Sequence, residues 1–269
     1  MLNANGFNAY SYKSILQPLG FNTIALDMRG HGMSNLPIDI HNLKNWNIFR
    51  DDIIEFFDRY IKNPVVLAGH SYGAVSGILA MPEIKNKVTG FVGFDPVLLP
   101  WPARLFSHFS WFREIAKQKL PVAKHAGRRK YKFESFEAAF DRYKKRGVFK
   151  DFTNDALKNY LIGGLVYDDE GVKLSCNPLW EQAIYAAQAH NVFNSIKYLP
   201  QKNSDIIFAG RGGSVSYQSG RNAFERKLGK NSVSFNLELD HMFPFNNPDF
   251  AISRLQEALS KSALNSQAV

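Results

Sequence analysis

The sequence predicts an α/β fold: a mostly parallel central sheet flanked by helices, carrying a helical insertion of about a hundred residues. Three observations lead there. Short apolar runs alternate with helical periods through the first ninety-odd positions. The alternation stops at Pro96, and helical stretches rich in aromatic and basic residues follow as far as about Pro200. It then resumes to the end of the chain. The predicted core is therefore 1–96 and 201–269, with 97–200 as the insertion.

In chain order, Asn22 to Asp27 is a short apolar run that ends in a glycine-rich loop, Asp27-Met-Arg-Gly-His-Gly-Met-Ser34. Trp46 to Ile61 sets Ile48, Phe49, Ile53, Phe56, Phe57 and Tyr60 at helical spacing, with charges between them. Asn63-Pro64 stops that helix, and Val65 to Ala68 reads as a buried strand. Ser71 to Met81 is small and apolar, suited to a helix lying on a sheet, and Val88 to Phe94 is a further strand. No strand stands out between 97 and 200. Beyond the insertion, Asp205–Gly210 and Ser232–Leu239 are strands, while Tyr217–Leu228 and Pro248–Leu259 are helices.

The 269 residues are 45% hydrophobic and 14% aromatic, enough for a core that needs no disulfide staples. The single cysteine, Cys176, excludes an internal disulfide framework and a CxxC zinc site, and it fits a reducing compartment. No 18-residue apolar window exists, and Met1 to Gly6 has neither a basic nor an apolar leader pattern, so a cytoplasmic protein is expected. Lys and Arg outnumber Asp and Glu by 33 to 24, a formal charge of +9. That excess is local. Residues 97–150 hold 14 basic against 4 acidic residues, so the rest of the chain sums to −1.

The motif that carries chemistry is Gly69-His70-Ser71-Tyr72-Gly73, which follows a strand and opens a helix. A serine on such a tight turn has a strained backbone, and the residues two before and two after it must lack side chains. Gly69 and Gly73 fill those places. The turn also sets Ser71 at a helix N-terminus, where N–H groups favour developing negative charge. A phosphate-binding turn or a plain tight turn is the alternative.

Together with Asp27-Met-Arg-Gly-His-Gly-Met-Ser34 and the late Asp240-His241-Met-Phe-Pro, this motif resembles the α/β-hydrolase fold family. The resemblance spans the whole chain, and the insertion lies where that family carries a cap. It implies a serine hydrolase with Ser71 as nucleophile and His241, on the loop after the last strand, as base. His31 is then structural and His70 points away from the attacking oxygen. His108 and His125 are expected on the surface. The family's usual acid position, after the penultimate strand, reads Ala209-Gly-Arg-Gly-Gly-Ser-Val-Ser216 and holds no carboxylate. A minority of the family supplies the acid after the preceding strand, where Asp95 stands; a turn role before Pro96 is the alternative. Asp240 would diverge from its neighbour His241, and Asp205 lies at the wrong end of its strand. Oxyanion donors are expected from the Tyr72 N–H and, by resemblance, the Phe7 N–H.

In the family the loop matching Asn5-Gly6-Phe7 follows three strands. The first two strands and most of the third are therefore expected to be missing, through a fragment or a mis-assigned start, unless the sheet is naturally shortened with an exposed edge.

The insertion opens with Trp101, Leu105, Phe106, Phe109, Trp111 and Phe112, too apolar for a free helix. Two readings compete: packing over the serine as an acyl pocket, which is favoured, with Trp101, Phe106 and Phe109 binding substrate, or lying in a membrane interface beside Arg104 and Arg113. The basic runs Lys124–Lys132 and Arg142–Arg146 read first as solvated faces; an anionic substrate group is the other reading, and nucleic acid is not expected. The expected function is cleavage of an acyl bond, most simply a carboxylic ester of a small-molecule substrate, with no metal or organic cofactor implied. The alternative is a catalytically weak ligand-binding protein of the same fold, prompted by the displaced acid.

Overall fold

The structure, a computed structural model, describes residues 1–213 and 218–267, with side chains as far as residue 264. Chain order is α1 (Lys13–Leu16), α2 (Asn47–Tyr60), β1 (Val65–His70), α3 (Tyr72–Ile84) and β2 (Val88–Phe94). The insertion that follows β2 holds α4 (Trp101–Phe106), α5 (Ser110–Lys119), α6 (Pro121–Gly127), β3 (Lys132–Phe133), α7 (Phe136–Tyr143), α8 (Asn154–Gly164), β4 (Leu165–Asp168), β5 (Gly171–Leu174) and α9 (Pro178–Ala186). The chain closes with β6 (Ser204–Arg211), α10 (Gln218–Leu228), β7 (Val233–Asp240), α11 (Phe243–Asn246) and α12 (Pro248–Gln267).

The main sheet has the order β1-β2-β6-β7, and every pairing in it is parallel. Successive strand residues face opposite sides. Leu67, Phe91, Ile206 and Phe208 join α2, α3 and α10 in one apolar core, while Ala68, Val92, Ile207 and Ala209 join α8 and α12 in a second. A strand buried on both faces has no polar alternation, which is why these runs are continuously apolar in sequence.

Strand register sets where the strands end. Gly69 stands opposite Gly93 and His70 opposite Phe94. Phe94 pairs with Ile207, and Arg211 with Asp240 after an irregularity in the last pair. The carboxyl ends of β1, β2 and β7 thus lie along one rim, where parallel sheets bind ligands.

Three sequence expectations change. Asn22–Asp27 is not a strand; Leu26 only bridges Leu2, which also bridges Gly69. Single rungs replace a ladder there, and the flank of β1 below Leu2 borders an apolar groove of ≈ 320 Å³ lined by Leu16, Ile24, Phe57, Val66 and Leu255. The insertion, read as strandless, contains a small sheet of order β3-β5-β4, antiparallel throughout. Its signal was a Val-Tyr-Asp-Asp-Glu-Gly-Val-Lys-Leu run, alternating residues about a turn, which the surrounding helices masked. α12 also outruns its expected end at Leu259. The helix predicted from Tyr217 is described from Gln218; Tyr217 lies outside the described residues, as do Ser214, Val215 and Ser216. Among the described residues no helix is long and apolar enough to cross a membrane.

Gly171 holds the small sheet's turn at φ +130°, and a Cβ there would meet the Phe133 carbonyl oxygen at 2.4 Å. Gly171→Ala should therefore cost about 1–3 kcal/mol in denaturant unfolding. An unchanged midpoint would contradict this pairing.

Candidate active site

Ser71, Asp95 and His241 are each the first residue beyond the carboxyl end of a strand, β1, β2 and β7 respectively. The backbone ladder continues one step past the ends of β1 and β2. The Ser71 N–H donates to the Phe94 carbonyl at 2.8 Å, and the Asp95 N–H to the Ile207 carbonyl at 2.7 Å. Both residues sit at positive φ, 58° for Ser71 and 42° for Asp95, a conformation non-glycine residues hold only where surrounding structure imposes it.

The glycines on either side of Ser71 are required by contact. A Cβ on Gly69 would lie 2.6 Å from Ala74 Cα, and one on Gly73 would lie 2.4 Å from the Asn3 carbonyl oxygen. Substituting either would push the strand–helix junction apart.

The side chains meet. His241 Nδ1 is 2.5 Å from Asp95 Oδ2, and His241 Nε2 is 3.1 Å from Ser71 Oγ. Asp95 is wholly buried, and its other oxygen accepts the Ala209 N–H at 3.0 Å. A carboxylate can only accept, so Nδ1 carries the proton and Nε2 is left to accept the Ser71 hydroxyl. Asp95 thus lies beside His241, on the strand end that follows the elbow helix. Asp240 turns away to the Met242 N–H and the Asn246 side chain, and Asp205 pairs with Arg254.

His70 has a partner that sequence reasoning did not find. Its Nε2–H donates to the His241 carbonyl at 2.8 Å, while Nδ1 accepts from the Tyr12 hydroxyl at 2.9 Å. That hydroxyl in turn accepts the Ala4 N–H at 3.0 Å. The loop bearing His241 is thus tied through β1 to the Ala4–Phe7 loop. Burial and the neighbouring His241 imidazole push the His70 pKa down to about 3, so it stays neutral and keeps this bond pattern. No pattern around Tyr12 marks it in sequence, because the pair is 58 residues apart.

The Tyr72 N–H belongs to the first turn of α3 and has no intrahelical acceptor. The Phe7 expectation is corrected. Its N–H donates to the Ala4 carbonyl at 3.0 Å, closing a turn in which Gly6 takes φ +76°. His31 braces that turn by accepting the Gly6 N–H at 3.1 Å, and burial lowers its pKa to about 4. A Cβ on Gly6 would lie 2.6 Å from a Glu181 carboxylate oxygen. Glu181 is buried, its pKa raised by that burial, and it pairs with Arg129 at 2.8 Å. Arg129 is thus the exception in the basic run; Lys124, Arg128, Lys130 and Lys132 are exposed. Cys176 is a buried free thiol whose pKa burial drives upward. His108 and His125 are exposed, as expected.

Trp101, Phe106 and Phe109 do not pack down over Ser71 as expected; they are 64%, 44% and 50% exposed. In the turn between α4 and α5 it is Arg113 that is buried, donating to the Ser107 and His108 carbonyls at 2.9 and 3.0 Å, while the rings beside it stay in solvent. Trp101 borders an open cavity of ≈ 740 Å³ with Arg50, Pro82 and His190, toward the far end of α3.

A family model described as serine aminopeptidase, S33, matches residues 10–231. The chain belongs to the α/β-hydrolase fold family. Over 75 residues it is 33% identical to a 2-(acetamidomethylene)succinate hydrolase of Mesorhizobium japonicum, a stretch covering 28% of this chain and 26% of that protein. The chain thus aligns with about a quarter of that relative's length. The crystal structure of an E-2-(acetamidomethylene)succinate hydrolase superposes with a TM-score of 0.73 and 17% identity, covering 96% of this chain and 89% of the other. A peroxisomal α/β-hydrolase of Saccharomyces cerevisiae gives 0.72 at 15% identity, over 98% and 76%. An esterase of Mycobacterium tuberculosis gives 0.70 at 18%, over 96% and 83%. At these identities the superpositions speak for the fold.

Three histidines are buried as neutral groups: His31, His70 and His190, the last also with a pKa lowered to about 3 by burial and Arg104. Their folded values lie below the ordinary value near 6.5, so the unfolded chain binds more protons between those limits. Stability is then greatest above about pH 6.5 and falls as pH drops, by up to about 1.4 kcal/mol per unit for each group. His190→Phe keeps the ring stacked on Trp46 and removes one such group. Unfolding between pH 7 and pH 5 should show a shallower fall by one proton's share; an identical slope would contradict the assignment.

Proposed function

We propose that the protein is a serine hydrolase that cleaves an acyl bond, a carboxylic ester most directly, through an acyl-enzyme. The observation that carries this is the continuous hydrogen-bonded path from Asp95 through His241 to Ser71. Ser71 Oγ bonds to the acyl carbon as its proton passes to His241 Nε2, and the carbonyl electron pair moves onto oxygen. Asp95 holds the resulting imidazolium. The Tyr72 N–H and the start of α3 face the oxyanion. Collapse expels the leaving group, which takes the proton from Nε2. Water then attacks the acyl carbon, giving its proton to Nε2, and the acid product departs as Ser71 recovers its hydrogen.

Residues 97–200 would act as a cap, since Arg129 and Glu181 bring that insertion against the Gly6 turn. The relatives' substrates belong to those proteins; the small acyl class is what we carry over. We set this reading above that of a catalytically weak binding protein because Asp95 Oδ2 lies 2.5 Å from His241 Nδ1. His70 would serve as a positioning residue, holding the backbone of the base.

A fluorophosphonate probe should label the folded protein, and Ser71→Ala should abolish labelling. Asp95→Asn should lower turnover of a nitrophenyl ester by about four orders of magnitude, because the imidazole loses its orienting acceptor. Near-wild-type turnover in Asp95→Asn would reject that assignment, and wild-type protein that resists the probe would reject the enzyme itself.

A further inference from the structure

The insertion leaves an unusual surface. Trp101, Leu105, Phe106, Phe109, Trp111 and Ile115, all on or between α4 and α5, are between 44% and 64% exposed. Scattered exposed apolar residues are ordinary, but a contiguous aromatic run is not. These rings stack on one another. Phe106 and Phe112 are parallel within 29° at 5.8 Å, and Phe109 and Trp111 within 27° at 6.2 Å. The face is therefore a preformed surface. The turn between α4 and α5 is braced by buried Arg113, which donates to the Ser107 and His108 carbonyls.

The charge and composition of the face name its occupant. The charge is one-sided: residues 97–150 carry a net +10, while the rest of the chain sums to −1. Lys119 on α5 and Lys124 on α6 are exposed and follow the aromatics closely in the chain, and the exposed cations of 128–132 and 142–146 come next. The composition is interfacial. Trp and Phe with flanking Lys and Arg is the pattern of elements that lie at a lipid–water boundary, where rings enter the headgroup layer and cations meet anionic lipid. A protein partner would not require that excess of positive charge, and a second copy of this chain would meet it with equal positive charge.

We propose that α4 and α5 form a docking face for an anionic lipid bilayer, with Trp101, Phe106, Phe109 and Trp111 entering the headgroup layer and the basic residues of the insertion meeting the lipid charge. Docking of this kind does not depend on catalysis by Ser71. It reverses the balance between the two readings of the opening aromatics, because rings turned to solvent cannot line a pocket over the serine in this conformation.

The chain carries its own reporter. Of its four tryptophans, Trp46 and Trp180 are buried at 1% and 0% exposure, so the solvent-sensitive emission comes from Trp101 and Trp111. Full-length protein, as Ser71→Ala to exclude turnover, is mixed with vesicles of phosphatidylcholine alone or with about a quarter phosphatidylglycerol. With the anionic vesicles, emission should shift to the blue, brominated lipid should quench it, and the protein should sediment with the vesicles. Raising salt should weaken binding, since the charge contribution is screened. Phe109→Ser with Trp111→Ser should reduce partitioning about tenfold or more. Unchanged thermal unfolding of that variant shows that it remains folded; if it does not, Lys119→Glu with Lys124→Glu gives the same test through charge alone. Equal binding to both vesicle types, no binding to either, or a chromatographic dimer whose tryptophan emission is already blue-shifted without lipid would each overturn the proposal.

Discussion

The site depends on a backbone ladder that runs one residue further than the strands themselves. Because β1, β2 and β6 are parallel and in register, the Ser71 N–H reaches the Phe94 carbonyl and the Asp95 N–H reaches the Ile207 carbonyl. Those two bonds hold a serine and an aspartate at positive φ, at adjacent points on the same rim. Neither conformation is favourable in isolation. They persist because each is spanned by a sheet that is buried on both faces. His241 arrives on the same rim from β7, and its carbonyl is caught by His70, the last residue of β1.

This arrangement explains why much of the site could be read from sequence. A parallel sheet delivers the residues just beyond its strand ends to one place, so locating strand ends locates the candidates. The glycines at 69 and 73 mark the elbow because contacts at 2.6 and 2.4 Å leave no room for a side chain. Asp95 became a candidate through the resemblance, because a minority of the family carries its acid at the end of the strand after the elbow helix. What escaped were bonds between distant segments. Tyr12 and His70, or Arg129 and Glu181, meet through the fold's topology, and neither pair has local spacing that betrays it. The Phe7 N–H was misjudged because a glycine at position 6 suits two turns, one opening the amide and one closing it on Ala4. The hairpin of β4 and β5 was hidden for a different reason: strands of four residues are too short for periodicity to outvote neighbouring helices.

The insertion divides its labour by face. Inward, Glu181 and Arg129 form a buried pair against the Gly6 turn, where each alone would be a costly charge. Outward, aromatics and lysines stand in solvent. The chain's positive charge is concentrated in residues 97–150 of this insertion, while the rest of the chain sums to −1. Electrostatic attraction therefore acts on the insertion and leaves the hydrogen-bonded path at the rim undisturbed.

Everything proposed for the rim rests on the imidazole of His241 bridging Asp95 and Ser71 in one fixed tautomer. Nitrogen NMR on histidine-labelled protein at mildly alkaline pH reads that tautomer directly. A proton is expected on His241 Nδ1, shifted strongly downfield by the Asp95 carboxylate, and lost from that position in Asp95→Asn. A proton found on Nε2 in the wild-type protein would leave Ser71 without an acceptor and contradict the proposed path.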